Sequence, residues 1–327
     1  MDYECSSGDV WALVLAGGEG KRMCPFVEKW LGYERPKQYC SFFGTKSLLG
    51  HTLDRASRLV GEERVVTIIG KGHTAFLRGE SALPGHWLEQ PVSKGTGPGV
   101  LLPLSYIRAQ DPEAVVVVLP SDHFVHPESR FFERIMQATD LLDCHEEALV
   151  LIAAVPQGPE AEYGWIEPGL QATCAHSTGR IRAQQVRQFV EKPSSIQAQH
   201  CFECGHFWST MIVVSKVKSL WSVATQLQPE AIRRFEKLSQ GFRAIADHHF
   251  SARAEEILMK LEYADLASFD FSRDILMRSV DRCLFLPLDG VIWSDLGRPE
   301  RVLEVLDQLG FRPNFPRELV TLHQLQI

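Results

Sequence analysis

Short, almost continuous apolar runs recur along the chain, and this recurrence limits the possible folds more than any other feature of the sequence. Four of the runs are rich in Val, Ile and Leu and cover residues 9–16, 64–70, 114–120 and 147–155. Strands that are apolar at successive positions are typical of parallel sheets covered on both faces. Each run therefore predicts a buried strand.

Segments between these runs have apolar residues at every third or fourth position, which is the spacing of an amphipathic helix. Two examples are residues 46–60 and 129–143. An alternation of buried strands and helices is typical of an α/β fold. We therefore predict a doubly wound, mostly parallel, Rossmann-like sheet with helices on both faces.

The pattern changes after about residue 160. Segments of mixed strand character follow, and they predict an insertion that forms one wall of a pocket: 163–169, 180–193 and 206–216. The C-terminal part predicts a helix, two strands and a final helix, at 269–279, 283–288, 290–296 and 298–310. We predict one large domain over residues 8–245 and a small α+β extension over residues 246–327.

The charge of the chain restricts its partners, because the net charge is −7 and the pI is near 6.0. An acidic chain does not attract nucleic acid or an anionic membrane surface, so we predict neither as a partner. No run approaches the roughly 20 apolar residues of a membrane-spanning helix, and no basic segment precedes the first run, so we predict a cytoplasmic protein. The eight cysteines are then expected to be mostly reduced.

Cys201 and Cys204 form a Cys-x-x-Cys motif between His200 and His206. These side chains could bind a metal ion, but structural zinc sites usually have a second ligand pair at a matching spacing. Because that second pair is absent from the sequence, we interpret the cysteines as ordinary loop residues. A structural zinc site is the less favoured alternative.

The segment LVLAGGEGKRMCPF, residues 13–26, directly follows the first predicted strand. Glycines at the end of a parallel strand allow backbone N–H groups to approach a phosphate chain, so this segment predicts a phosphate-binding loop. The dinucleotide fingerprint is excluded because Met23 stands where its third glycine is required. A P-loop is excluded because Leu15 replaces its first glycine and Arg22 its Ser or Thr.

The loop is the first of several motifs that resemble one known family. Residues 13–56, which include RPKQ at 35–38, are followed by EQPVSKGTGPG (89–99), VVVLPSDHFV (116–125), YGWIEPG (163–169), VRQFVEKP (186–193), SFD (268–270) and WSDLG (293–297). In this order they resemble the sugar-1-phosphate nucleotidyltransferases, in particular the bacterial mannose-1-phosphate guanylyltransferases. The resemblance covers residues 10 to about 300 and implies a GT-A-type nucleotidyltransferase fold.

The resemblance implies that the phosphate of mannose 1-phosphate attacks the α-phosphorus of GTP in line, giving GDP-mannose and pyrophosphate, with Mg²⁺ as cofactor. Such a reaction needs aligned cations more than a nucleophilic side chain. By the resemblance, Arg22 binds the β- and γ-phosphates, which suits its forked guanidinium. Lys37 reaches the α-phosphate, where charge develops. These two are the predicted catalytic residues.

The resemblance also assigns residues to the nucleotide and the metal. The nucleotide-binding residues that it implies are Leu15, Ala16, Gly17, Gly18, Gly20, Gln90, Thr96 and Gly97. Magnesium prefers few carboxylates together with phosphate oxygens, and the implied ligands are Asp122 and Asp295. His123 is expected to support the turn beside Asp122 rather than to bind the metal.

The sugar and its phosphate are assigned in the same way to Gly164, Glu191 and Lys192. A glycine at 164 lets a sugar ring lie against the backbone, Glu191 accepts hydrogen bonds from sugar hydroxyls, and Lys192 contacts the phosphate. Asp270 has two open interpretations. It either caps the helix that follows it or lies close to the active site.

The chain departs from the family pattern Trp-Asn-Ser-Gly, whose Asn and Gly line the sugar pocket. Within FWSTMIVV we align Trp208 with the Asn and Thr210 with the Gly, so Trp208 is a predicted sugar-binding residue in an altered pocket. A second departure, TGPG at 96–99 where the family has Thr-Ala-Pro-Ala, is expected to be tolerated.

Three hypotheses follow from the sequence. The first is a mannose-1-phosphate guanylyltransferase, with the possibility of a homodimer. The second keeps the chemistry and changes the sugar 1-phosphate or the nucleoside triphosphate, because single residues decide both. The third is a catalytically weak paralogue that binds nucleotide and regulates a partner.

Overall fold

The computed structural model describes residues 10–77, 83–176, 179–248 and 252–320. Its strands are β1 (Val10–Ala16), β2 (Val65–Ile69), β3 (His86–Glu89), β4 (Val115–Pro120), β5 (Phe124–His126), β6 (Leu149–Ala154), β7 (Gly164–His176), β8 (Gly179–Glu191), β9 (Phe207–Lys216), β10 (Cys283–Leu288) and β11 (Ile292–Ser294). Nine strands of these ranges form one sheet in the order β3, β2, β1, β4, β9, β6, β10, β8, β7. The short strands β5 and β11 pair with each other.

The strands β1, β2, β3 and β4 are parallel neighbours, and so are β6 and β10. Strand β9 runs antiparallel between β4 and β6, and β8 runs antiparallel to β10 and β7. The predicted runs 9–16, 64–70, 114–120 and 147–155 are β1, β2, β4 and β6. The predicted mostly parallel α/β sheet is therefore confirmed, with two reversed strands.

Helices cover both faces of this sheet. They are α1 (Cys24–Leu31), α2 (Leu48–Val60), α3 (Thr96–Gln110), α4 (Glu128–Leu141), α5 (Ser195–Glu203), α6 (Val217–Leu227), α7 (Pro229–His248), α8 (Ala252–Tyr263), α9 (Phe271–Asp274) and α10 (Pro299–Leu309). Apolar residues of α2 and α4 pack on one face, whereas those of α3, α6 and α7 pack on the other. The segments with helical period, 46–60 and 129–143, form α2 and α4.

Helix α3 was not apparent from periodicity because it has no polar face. Eleven of its 15 residues are buried, and a helix that is apolar all round lacks the 3.6-residue signal. The predicted helix at 269–279 is shorter than expected, because α9 ends at Asp274 and a 3₁₀ turn covers Leu276–Arg278.

The C-terminal portion contributes to the main body of the fold. Strand β10 lies inside the large sheet between β6 and β8, and α10 packs with α1 in a third apolar cluster that includes Phe26, Val302 and Phe315. This cluster fixes the chain between β11 and α10 against the loop that follows β1. The division near residue 245 stays a prediction.

Most of the described cysteines are free, as expected, but two of them form a disulfide that the sequence did not predict. Cys144, just after α4, and Cys174, in β7, are joined by a disulfide with their Cα atoms 5.8 Å apart, because α4 packs against β7. Cys24, Cys40, Cys201, Cys204 and Cys283 are free. Within the described residues, no group of three or more His, Cys, Asp or Glu side chains could hold a metal ion.

Among the helices of the described residues, none is both long enough and apolar enough to cross a membrane.

Candidate active site

The glycine loop after β1 is held by the segment that contains RPKQ. The side-chain amide of Gln38 donates to the carbonyls of Ala16 at 3.0 Å and Gly18 at 2.6 Å. The hydroxyl of Tyr39 donates to the same Ala16 carbonyl at 3.2 Å. The predicted phosphate-binding loop and the segment that contains RPKQ are therefore in direct contact. The contact is made by Gln38 and Tyr39, which sequence reasoning did not assign to the site.

Two glycines of the loop allow this close packing. Gly20 has φ +63°, and a Cβ there would lie 3.1 Å from the backbone nitrogen of Lys37. A Cβ at Gly17 would lie 3.1 Å from the amide nitrogen of Gln90, which is buried. The backbone of Leu15 accepts a hydrogen bond from Ser121 at 3.1 Å, so the ends of β1 and β4 are also tied together.

The N-terminus of α3 is closed by the SFD segment. The hydroxyl of Thr96 donates to Asp270 at 3.0 Å and accepts from the Phe271 backbone at 2.8 Å. Asp270 also caps α9, because it accepts from the backbone nitrogen of Arg273 at 2.9 Å. Both interpretations of Asp270 therefore hold, since it is a cap that also binds a predicted nucleotide-site residue.

Gly97 is the glycine of this region with the least free space. Its backbone nitrogen donates to Phe269 at 3.1 Å, and a Cβ at this position would overlap the ring of Phe269. We expect Gly97→Ala to lower the free energy of unfolding by about 1–3 kcal/mol, the usual cost of overpacking. Thermal unfolding measures this loss. Gly158→Ala is the control, because a Cβ there meets nothing within 4 Å, and equal melting temperatures for the two variants would contradict the prediction.

Lys37 lies at the centre of the assembled site. It is 6% exposed, and its ammonium group forms an ion pair with Asp122 at 2.9 Å. The same group donates to the backbone carbonyl of Asp295. Three residues that the resemblance selected from distant parts of the chain therefore meet at the ends of β1, β4 and β11.

The carboxylate of Asp295 is surrounded by donors. One oxygen, Oδ1, accepts from the hydroxyl of Tyr163 at 3.0 Å, from the backbone of Gly297 at 2.9 Å and from Arg301. The other, Oδ2, accepts from Arg22 at 3.1 Å. Burial alone raises the pKa of Asp295, but the charges of Lys37 and the two arginines outweigh it and hold this pKa well below the usual range.

Arg22 is half-exposed and binds two carboxylates. One guanidinium nitrogen donates to Glu162 at 2.8 Å and the other to Asp295. Gly297 makes room for this arrangement, because a Cβ there would lie 2.5 Å from Asp295 and 2.9 Å from Arg22. Glu160 lies nearby, and it pairs with Arg298 at 2.6 Å.

Arg301 completes this group, and sequence reasoning missed it together with Tyr163, Glu160 and Glu162. Its guanidinium lies 4.6 Å above the ring of Tyr163 and pairs with Glu160 at 2.7 Å and Glu162 at 3.2 Å. None of these residues stands in a recognisable spacing. Their only sequence signal was proximity to the motifs YGWI and WSDLG.

The two predicted metal ligands differ in their fit to magnesium. The Asp122 side chain is 28% exposed, with one oxygen paired to Lys37 and the other 3.8 Å from His123. It therefore retains free lone pairs for a cation that also binds phosphate oxygens and water. Asp295 does not fit, because both of its oxygens are already occupied by cationic or polar donors.

His123 supports the turn after β4, as the sequence suggested. Its backbone carbonyl accepts from the buried Arg55 at 3.2 Å, and its ring packs edge-on against Trp293 at 5.1 Å. Burial is the main cause that lowers the pKa of His123 to about 4. The imidazole is therefore neutral at pH 7.

The predicted sugar residues lie at the edge where β7, β8 and β9 meet. Gly164 is opposite both Glu191 and Ser209 in the sheet, and a Cβ at 164 would lie 2.8 Å from the Glu191 carboxylate. Burial is the main cause that raises the pKa of Glu191, and the neighbouring charge of Lys192 opposes it. Lys192 is exposed, with its ammonium 3.6 Å from Glu191.

Trp208 lies on the opposite face of the sheet from Gly164, and its role at the sugar stays a prediction. It is opposite Trp165 in the pairing of β7 with β9, whereas Ser209 is opposite Gly164. Side chains alternate between the faces of a strand, so Trp208 packs beside Trp165. Its ring also lies 4.9 Å from that of Tyr163. Ser209, not Trp208, points to the side of Glu191.

The backbone of β9 is irregular just after Ser209. Met211 has φ +59°, the left-handed conformation that glycine adopts most readily. Thr210 is buried, and its hydroxyl donates to the Ile152 carbonyl at 2.5 Å. The alignment of Thr210 with the glycine of the pattern stays a prediction.

The family model described as nucleotidyl transferase matches residues 11–310. A mannose-1-phosphate guanylyltransferase from Escherichia coli is 28% identical over 305 residues, which is 91% of this chain and 60% of that protein. Mannose-1-phosphate guanylyltransferase 2 from Escherichia coli O157:H7 is 26% identical over 299 residues, which is 89% of this chain and 59% of that protein.

A solved structure has the same fold. It is described as a mannose-1-phosphate geranyltransferase from Thermus thermophilus, with a TM-score of 0.69 and 26% identity over 90% of this chain and 79% of that one. The chain spans about 60% of the length of the two curated relatives above.

Proposed function

We propose, since the chain belongs to the nucleotidyl transferase family, that it transfers a nucleotidyl group from GTP to mannose 1-phosphate and releases pyrophosphate. The observation that carries the proposal is the meeting of Lys37, Asp122, Asp295 and Arg22 at the glycine loop. This arrangement has the cations that a reaction between two polyanions requires. The names of the curated relatives support the choice of mannose 1-phosphate and the guanylyl group.

The nucleotide lies, in this proposal, across the loop at 15–20 and the N-terminus of α3. Backbone N–H groups of the loop face its phosphates, and Gln90, Thr96 and Gly97 form the opposite side. Arg22 exchanges its exposed partner Glu162 for oxygens of the β- and γ-phosphates, which suits a forked guanidinium. The outgoing pyrophosphate is thereby held as it separates.

Lys37 stabilises the charge that develops around the α-phosphorus. Its ammonium is buried and fixed by Asp122 and the Asp295 carbonyl, so little reorganisation is needed during the reaction. Mg²⁺, when it is bound by Asp122 and the triphosphate, supplies further neutralisation of phosphate charge. In-line attack by the sugar phosphate requires no covalent protein intermediate.

The sugar lies beside Gly164, with Glu191 and Ser209 as hydrogen-bonding groups for its hydroxyls and Lys192 near its phosphate. The chain departs from the family pattern Trp-Asn-Ser-Gly at Trp208 and Thr210. That departure favours a second candidate, the same reaction with a different sugar 1-phosphate.

Pyrophosphate release tests the proposal. The protein is incubated with Mg²⁺, each nucleoside triphosphate in turn and a panel of sugar 1-phosphates. Release with GTP and mannose 1-phosphate alone is the expected result, and release with another pair supports the second candidate. No release with any pair, together with measurable nucleotide binding, would leave only the regulatory paralogue.

The raised pKa of Glu191 gives a pH-dependent prediction. Below this pKa the group is neutral and loses its strength as a hydrogen-bond acceptor, so sugar affinity is present above the pKa and is lost as pH falls through it. Burial raises the pKa of Glu191 from 4.5. As the pH is lowered, we therefore expect KM for mannose 1-phosphate to begin rising at a higher pH than it would with an exposed glutamate at this position.

The Glu191→Gln variant isolates this effect, because it retains the shape of the side chain without its titration. The ratio of KM in the variant to KM in the parent should fall towards one at acidic pH. Using this ratio also cancels the titration of the substrate phosphate, which affects both proteins equally. A ratio that is constant from pH 4 to pH 8 would exclude Glu191 from the sugar site.

A further inference from the structure

Four donors surround the carboxylate of Asp295, which offers about four lone-pair sites in all, two on each oxygen. Oδ1 accepts from the hydroxyl of Tyr163, the backbone of Gly297 and Arg301, so it has no free position. Oδ2 accepts from Arg22. A metal ion could therefore bind only at Oδ2, where it would lie beside the Arg22 guanidinium.

The surrounding charge also opposes a metal ion at this carboxylate. Arg22 and Arg301 each bind one of its oxygens, and the ammonium of Lys37 binds its backbone carbonyl. Three cations thus contact this residue. Glu160 and Glu162 also pair with the arginines, but a metal ion at the carboxylate would still lie closest to like charges, which repel. Among the described residues, the second carboxylate, Asp122, pairs with one cation, Lys37, and lies 3.8 Å from His123.

We infer that Asp295 is a positioning residue that anchors Arg22, and that Asp122 is the carboxylate that ligates the metal. The inference rests on the proposed function, since it concerns the same site. Asp295 itself is held by the buried Arg301 and by Tyr163 on the side away from Arg22.

The two partners of Arg22 differ in exposure, and this difference separates their roles. The Asp295 side chain is 11% exposed and that of Glu162 is 32% exposed. Asp295 is therefore the fixed partner, which directs one edge of the guanidinium. Glu162 is the exchangeable partner, which a phosphate replaces.

Metal affinity distinguishes the two carboxylates without any need for turnover. Mn²⁺ binding is measured by electron paramagnetic resonance, both alone and with a GTP analogue that has a methylene bridge between the α- and β-phosphorus. We expect Asp122→Asn to weaken Mn²⁺ binding at least tenfold and Asp295→Asn to change it less than threefold. Equal losses in the two variants, or no Mn²⁺ binding by the parent protein, would overturn the assignment.

The anchoring role is tested by a double-mutant cycle, which isolates the coupling between two residues. Asp295→Asn should weaken binding of the GTP analogue about tenfold in the parent protein. In an Arg22→Met background the same change should have almost no effect, because Asp295 acts through Arg22. An undiminished effect in that background would contradict the inference.

Arg301→Gln provides a second variant if Asp295→Asn does not fold. An anchoring Asp295 predicts unchanged Mn²⁺ affinity and weaker binding of the GTP analogue. A metal-binding Asp295 predicts higher Mn²⁺ affinity, since a competing cation has been removed. These tests measure the affinity for Mn²⁺ and for the GTP analogue. They are therefore independent of the proposed function, which is tested by pyrophosphate release.

Discussion

Lys37→Met is expected to lower kcat/KM for the proposed nucleotidyl transfer by roughly 100- to 1,000-fold, or about 3–4 kcal/mol, the usual loss when a fixed donor to a developing oxyanion is removed. The buried ammonium is fixed between Asp122 and the Asp295 carbonyl, so water cannot easily replace its charge. Methionine is chosen because it retains most of the volume of the lysine side chain. Steady-state kinetics of pyrophosphate release measure the effect.

The same change also removes the partner of Asp122. A partly exposed carboxylate that loses its ion pair is expected to cost about 1–3 kcal/mol in the free energy of unfolding, which should leave the variant folded at 25 °C. Chemical denaturation measures this loss. The kinetic comparison is therefore made where both proteins are fully folded.

Lys21→Met is the matched control for charge. Lys21 is adjacent to the phosphate loop, but its side chain is 84% exposed and, among the residues that the structure describes, pairs with Glu19. Its removal should change kcat/KM less than threefold, since exposed ion pairs contribute about 0–1 kcal/mol. Near-normal turnover in Lys37→Met, or an equal loss in Lys21→Met, would show that the role of Lys37 is misassigned.

Arg22→Met is the second change with a large expected effect. A charge-assisted hydrogen bond to phosphate contributes about 1.5–3 kcal/mol, so kcat/KM for GTP should fall roughly 10- to 150-fold. We expect most of the loss in KM, because in the proposed function the guanidinium binds the β- and γ-phosphates rather than the reacting phosphorus. Initial rates at several GTP concentrations separate KM from kcat.

Arg298→Met is the control for this change. Arg22 and Arg298 are equally exposed, at 50% and 49%, and each pairs with Glu162. Arg298, however, does not bind Asp295 in the structure and lies next to α10 rather than in the phosphate loop. A similar rise in KM for GTP in both variants would mean that general positive charge, and not the anchored Arg22, accounts for nucleotide binding.

Much of the fold could be predicted because its information is local. The strands β1, β2, β4 and β6 are runs of β-branched residues, and α2 and α4 have clear helical spacing. Helix α3 could not be found in this way because its burial is nearly complete. The disulfide between Cys144 and Cys174 was also missed, since it depends on the packing of α4 against β7.

The candidate site was also predictable only in part. The motifs identified Arg22, Lys37, Asp122 and Asp295 as candidates, and the structure places them together. The role of Trp208 at the sugar stays a prediction. The pairing of β7 with β9 places Ser209, rather than Trp208, opposite Gly164. Because a one-residue step along a strand exchanges its faces, only the folded sheet decides which of the two side chains lies on the side of Gly164.

The sequence by itself determined the α/β architecture and the glycine loop, because strand burial, helical spacing and the conformational freedom of glycine are properties of short segments. The tertiary structure decided what each charged group binds. Tyr163 and Arg22 reach Asp295 across 132 and 273 residues of chain, and no local pattern records such contacts. The environment of a carboxylate, and therefore whether it holds an arginine or a metal ion, depends on neighbours that only the folded chain brings together.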